Sequence, residues 1–234
     1  MLNSTIKIKV KQRLNKLASN DYDNIQDWQV IEAFNKGMSA WVRRQLAGTN
    51  LSKTGDEGSK RKIDDLQVLL VTLPMGMSKT DGYYKSNSFP KNYMEWKRIS
   101  TNAISGCCKD PRKMMVYLAH EADVDLLLRD QNKKPSFEWA ETFCTMSGNV
   151  IKVYTDNKFD INNTQLTYYK LPRKIEIKGV SNPYTNEYSL AEVECEFKDD
   201  VVEILIDECV KILSGDIEDF NANSLADNSV ESNN

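Results

Sequence analysis

Histidine is almost missing: His120 is the only one among 234 residues. Zinc sites built from paired histidines are thereby excluded, and any Ser–His–Asp or Cys–His site would hang on that one residue. His120-Glu121 lies in LAHEADVDLL with no second histidine four positions on, so it reads as a structural or surface residue. The five cysteines, at 107, 108, 144, 195 and 209, are odd in number and lack ligand spacing. Adjacent Cys107 and Cys108 suit neither a metal nor a disulfide, and the set reads as reduced thiols in a cytoplasmic setting. No phosphate loop, dinucleotide fingerprint or kinase motif occurs. Nor is there a run of about 18 apolar residues, so no membrane span is expected. The opening MLNSTIKIKVKQRLNK has no continuous apolar core and does not read as a signal peptide. No cofactor site is expected.

What is present is an ordinary globular composition, 40% hydrophobic and 28% charged, in a chain long enough for one large domain or two small ones. The net charge of −3 hides a polarity. Residues 1–62 carry 12 basic and 6 acidic side chains, whereas residues 185–234 carry 2 and 14. Such ends can attract copies of the chain, or a partner, in a fixed orientation, or they can simply be solvated faces.

The clearest local pattern is near the end. Ala191, Val193, Cys195 and Phe197 alternate with Glu192, Glu194, Glu196 and Lys198, which predicts a strand with one buried face. Asp199 or Asp200 then caps a helix whose stripe is Val202, Leu205, Ile206, Cys209 and Leu213, with Gly215 as its left-handed stop. At the other end, Ser4 or Thr5 opens a helix with Ile6, Val10, Leu14 and Leu17 on one face. A second helix spans about 24–47, with Ile25, Trp28, Ile31, Phe34, Met38, and Trp41 or Val42 as its stripe. Its rings carry a large apolar load, which an intrachain core or an adjacent subunit could cover. Gly37 inside it marks a close approach by a neighbour.

Between the helices, residues 48–62 read as a loop with a basic cluster at Lys60, Arg61 and Lys62. Strands are predicted in LQVLLVTLP, YMEWKRISTNAIS, residues 114–118, FEWAETFCTM, VIKVYT and TQLTYYKLP, with GMSKTDGYYKSNSFPKN as a loop and EADVDLLLRD as a helical turn. Ser147-Gly148-Asn149 makes the best hairpin turn. The connections look too short for helical crossovers, so the sheet is expected to be mainly antiparallel. The fold class is therefore α+β: N-terminal helices, a central mainly antiparallel β region, a C-terminal helix and a polar C-terminal tail. The sharpest enzyme candidate is a metal-dependent nuclease, with Asp156 or Asp160 and Glu176 holding a divalent ion and Lys178 stabilising phosphate charge.

Two stretches resemble a known family. GNVIKVYTDNKFDINNTQLTYYKLPRKIEI, followed by VECEFKDDVVEILIDECVKILSGDIED, is similar to the C-terminal half of tailed-bacteriophage head-to-tail connector proteins, most like those of crAss-like phages. Tyr168, Tyr169, Lys170 and Pro172 match that pattern's strand end, and Phe197, Asp200, Ile204, residues 207–210 and Gly215 its closing helix. IQDWQVIEAFNKGMSAWVRRQLAG looks like the long helix of such ring proteins. The resemblance implies a structural virion protein without enzymatic activity, forming a twelvefold ring between portal and tail. Its implied partners are its own copies, the portal protein, neighbouring ring or tail proteins, and genomic DNA passing through the lumen without specific binding. Assembly would take place in the bacterial host cytoplasm. On this reading residues 1–215 form one connector-like domain, helical over 1–48, β-rich over 63–197 and closed by a helix over 199–215. Residues 216–234 are then a flexible or partner-ordered tail. Trp28, Phe34, Trp41, Ile217 and Phe220 are the expected interaction residues.

Overall fold

A computed structural model of the chain describes residues 1–17, 25–47, 64–106, 108–183 and 187–216. The architecture is α+β, and it divides into two compact units: Met1–Val68 with Pro172–Asn234, and Leu69–Leu171. Residues 63–197, expected as one β-rich region of a single domain, are thus split. Only 69–171 forms the β unit; the flanks belong to the helical unit.

The helical unit is built from both ends of the chain. Helix α1 spans Asn3–Leu17, and its residues Ile6, Val10 and Leu14 are buried, as their spacing dictates. Helix α2 spans Asp27–Ala47 and buries Val30, Ala33, Phe34, Met38, Trp41 and Val42. The C-terminal helix, Asp199–Asp216, packs against both and buries Val201, Val202, Leu205, Ile206, Cys209, Val210 and Leu213. At Gly37 α2 and the C-terminal helix approach closely: a Cβ there would lie 3.2 Å from the Glu208 Cβ and 3.6 Å from the Cys209 amide nitrogen. Gly215 does not act as the expected stop. Its φ is not positive, and the C-terminal helix runs through it to Asp216. The strand predicted over 191–197 is also absent. That stretch is extended but makes only one bridge, Glu176 with Val193, while Cys195 and Phe197 turn inward and Phe197 meets Trp41 edge-on at 5.6 Å.

Part of the charge polarity of the sequence is met inside this unit. Lys9 pairs with Glu203, and Arg13 with both Glu203 and Asp207. The N-terminal amine meets Asp199 at 2.7 Å, and Lys7 and Lys11 converge on Asp27 at 2.9 and 3.4 Å. Arg44 pairs with the buried Glu208.

Among the described residues the β unit contains eight strands: β1 Leu70–Pro74, β2 Met77–Thr80, β3 Tyr83–Ser86, β4 Tyr93–Ser105, β5 Cys108–Leu118, β6 Glu141–Ser147, β7 Val150–Tyr154 and β8 Asp160–Lys170. Their order in the sheet is β1-β8-β4-β5-β6-β7-β3-β2. Its two ends, β1 and β2, are separated in the chain only by Met75 and Gly76. The Met75 amide donates to the Thr164 carbonyl, extending the pairing with β8, while the Gly76 carbonyl accepts from the Asn87 amide beyond β3. The sheet therefore curls around its core as a barrel whose two ends are joined by this two-residue link, although β1 and β2 do not pair with each other. Inside lies a core cluster drawn from six strands, including Tyr84, Ile99, Ala103, Met114, Val116, Cys144, Ile151, Val153, Leu166 and Tyr168.

Pairing is antiparallel except between β5 and β6, which are parallel. That exception corrects the expectation of no helical crossover: residues 119–140 cross over with a 3-10 turn, Glu121–Asp123, and a short helix α3, Val124–Arg129. The alternation in FEWAETFCTM does not begin a strand at Phe137. Ser136 and Glu141 close a tight loop by mutual backbone hydrogen bonds, Ala140 takes φ +55°, and β6 starts at Glu141. The segment expected as a loop, GMSKTDGYYKS, is instead the β2–β3 hairpin, turning at Gly82 with φ +78°. On the barrel's outer face, Tyr117, Phe143, Tyr154 and Tyr83 form a ladder across four neighbouring strands, with ring centroids 5.9, 4.7 and 5.7 Å apart.

Candidate functional site

A cleft of about 820 Å³ lies within the helical unit. One wall is the face of α2 carrying Trp28, Ile31, Glu32, Asn35, Lys36 and Ser39. These positions recur three and four apart and lie beside the stripe that α2 buries. The other wall is the extended segment 174–177, and Val180, Tyr188 and Ser189 complete it.

Two asparagines hold that second wall in place. Asn35 Oδ1 accepts from the Ile175 amide at 2.9 Å, and its Nδ2 donates to the Ile175 carbonyl at 3.2 Å. One amide side chain thus stands in for a backbone partner at Ile175, next to the single bridge of Glu176 with Val193. Asn3 Nδ2 donates to the carbonyls of Glu176 and Val193, each at 3.0 Å. Below, Ile175 is buried against the helices. A short hairpin, β9 Ser181–Asn182 with β10 Glu187–Tyr188, follows the wall, and the chain turns into it at Gly179, φ +88°. The Glu176 carboxylate accepts from the Ser189 hydroxyl at 2.8 Å. The cleft thus joins apolar surface, from Ile31, Val180 and the rings of Trp28 and Tyr188, to ammonium and carboxylate groups at its rim. That chemistry suits a short peptide with apolar anchors and charged neighbours.

The expected interaction residues separate. Trp28 is half-buried on the cleft, with Nε1 donating to Gln26 Oε1 at 2.6 Å. Phe34 and Trp41, 0% and 2% exposed, lie in the protomer's own core. Phe34 and Trp41 are thus buried without another subunit, Trp41 with Phe197 edge-on against it, whereas Trp28 is not fully covered. Ile217 and Phe220 lie outside the described residues.

The nuclease set is divided between units. Asp156 and Asp160 are in the β unit, where Lys158 and Asp156 are 2.6 Å apart and Asp160 takes Lys79 at 2.5 Å and the Tyr84 hydroxyl at 2.7 Å. The lysine and tyrosine hydrogen bonds hold the Asp160 carboxyl below its usual range. Glu176 and Lys178 are in the helical unit. Among the described residues no group of three His, Cys, Asp or Glu side chains could hold a metal.

Asn35, Lys174 and Tyr188 escape the sequence reading. Asn35 could have been found, because it lies seven residues, two helical turns, beyond Trp28 on one face. Lys174 and Tyr188 come from irregular chain with no periodic signal. Two thiols outside the cleft are inert: burial pushes Cys144 up to about 12 and Cys209 higher still. No family model matches this chain, and no curated protein sequence does so either.

Proposed function

We propose that the chain is a structural subunit of a bacteriophage head-to-tail connector, assembling into a ring between portal and tail with a channel for DNA. The observation that carries this reading is the sequence resemblance over residues 148–177 and 193–219 and over α2. The placement of its elements supports it. Tyr168, Tyr169 and Lys170 end strand β8, Pro172 follows, and an acidic-to-apolar helix closes the described chain. The fold lends further support. Each unit has a packed core of its own, as a ring protomer would need. On this reading the partners are other copies, the portal and neighbouring ring or tail proteins, and the protein is found in the virion.

The test is the mass of the purified protein, alone and mixed with portal. Twelve copies of 26.8 kDa make a ring of about 320 kDa. A chain that stays monomeric at every concentration and never joins the portal would refute the proposal. Divalent-metal-dependent cleavage of DNA, lost in Glu176→Ala, would replace it with the nuclease reading.

A further inference from the structure

We infer that Trp139 of one copy docks in the cleft between α2 and the wall at 174–177 of the next copy, a head-to-tail contact that rests on the connector reading and names the surfaces that meet. Among the described residues the two most exposed large apolar side chains are Leu190, 80%, and Trp139, 79%. Leu190 follows Ser189 of the cleft, whose Tyr188 is also exposed. Trp139 is in the β unit, on the tight turn between Ser136 and Glu141. That turn is pinned. Arg112 donates to the carbonyls of Phe137 and Glu138 at 3.0 and 2.8 Å and lies over the Phe137 ring at 5.1 Å. Phe137 in turn packs on buried Phe159, with ring centroids 6.3 Å apart. The Trp139 amide donates to the Ser136 hydroxyl at 3.3 Å, and the Met115 amide donates to the Ala140 carbonyl at 2.7 Å. A left-handed alanine is strained, and at Ala140 the strain serves a turn that holds an indole out in solvent, with exposed Met115 on the adjoining strand.

Knob and cleft match in size and in charge. A tryptophan on a pinned turn gives up little conformational freedom on docking, and tryptophan is among the side chains most enriched as anchors of protein contacts. The cleft's volume of about 820 Å³ admits an indole with its neighbours and meets it with Trp28, Ile31, Val180 and Tyr188. At the rim Lys36 and Lys174 balance Glu32 and Glu176, so the cleft favours an apolar anchor over a charged segment. The turn is balanced likewise, with the Glu138 side chain and the Arg112 guanidinium side by side in it. A second copy is the occupant because the chain leaves apolar surface open on both sides of the match, and each side covers the other. Knob and cleft are different patches on different units, so every copy offers one and receives the other. Such a contact adds copies in one direction and closes into a ring when the rotation between copies permits.

The test uses two variants of the full chain, with mass by analytical ultracentrifugation as the readout. Trp139→Ala removes the knob and Tyr188→Glu charges the cleft; both side chains are exposed, so the thermal melts should be unchanged. Each variant alone should associate about 30-fold more weakly than the unaltered chain, or worse, as the loss of a central tryptophan anchor implies. Mixed in equal amounts, the two retain one good knob and one good cleft. They should form a one-to-one pair of about 54 kDa from two chains of 26.8 kDa, and nothing larger. Self-association that survives Trp139→Ala, or a mixture that stays monomeric while the unaltered chain associates, would overturn the inference and leave the connector reading standing. An unaltered chain that is monomeric at every concentration would overturn it too, even if that chain joins the portal. Formation of the pair by a protein that never joins the portal would uphold this contact and remove the connector reading.

Discussion

Gly37 and Arg44 show how single positions fix the helical unit. A side chain at 37 has almost no room, since the Glu208 Cβ already stands 3.2 Å from where a Cβ would be. Gly37→Val should cost about 1–3 kcal/mol by prising α2 from the C-terminal helix, read as a fall in the urea midpoint. Arg44 is the partner of Glu208, which is only 4% exposed. Arg44→Met would strand a buried carboxylate and should cost about 3–5 kcal/mol, and pairing it with Glu208→Met should recover most of that loss. A double change no better than the single one would show that the ion pair is not what holds this contact. The need for a small residue at 37 is legible from the sequence, because glycine inside a strong helix requires a reason. Gly215 misleads because glycine is equally compatible with a last helical turn, and only the backbone torsion separates that from a left-handed stop.

At the scale of elements, α1 is held mainly by its buried Ile6, Val10 and Leu14, and ion pairs add to that. Burial works to raise the Asp27 carboxyl, but Lys7 and Lys11 outweigh it and leave it below its ordinary value. A carboxyl lowered in the folded state adds stability above its unfolded range, near pH 4, and that contribution disappears as pH falls through the folded value. Asp27→Asn should therefore cost on the order of 0.5–1 kcal/mol at pH 7, where Asp27 also favours the start of α2. At pH 2 it should cost nothing, and denaturant midpoints at the two pH values check both. The polarity of charge is plain in the sequence, but its destination is not, because composition cannot tell a neighbouring helix from a neighbouring subunit. The β2–β3 hairpin escapes the sequence for a different reason. Ser78 and Lys79 face solvent on both sides of a short strand, so the alternation that identifies strands has nothing to alternate. The Asp81-Gly82 pair is the available signal. Strands β4, β7 and β8 are legible because each buries one face against the barrel core.

At the scale of the whole molecule, one continuous stretch supplies the β unit and two separated stretches supply the helical unit. Residues 69–171, expressed alone, should fold into a β protein with a cooperative thermal transition, because the barrel's core cluster lies entirely within them. A non-cooperative melt of that fragment would show that it depends on the rest of the chain. The division is hidden from sequence reading because Leu66 and Ile175, on either side of the β unit, look like continuations of its strands, yet both are buried and outside it. The order of synthesis gives this layout a further meaning. The barrel can close while the chain is still on the ribosome, but α1 and α2 emerge first and find their largest partner, the C-terminal helix, last. Until about residue 213 has left the exit tunnel, the apolar face of Val30, Phe34, Met38 and Trp41 lacks the cover that the C-terminal helix gives it. From the emergence of α2 until the C-terminal helix follows the barrel out, the nascent chain thus carries an apolar face open to the wrong partners.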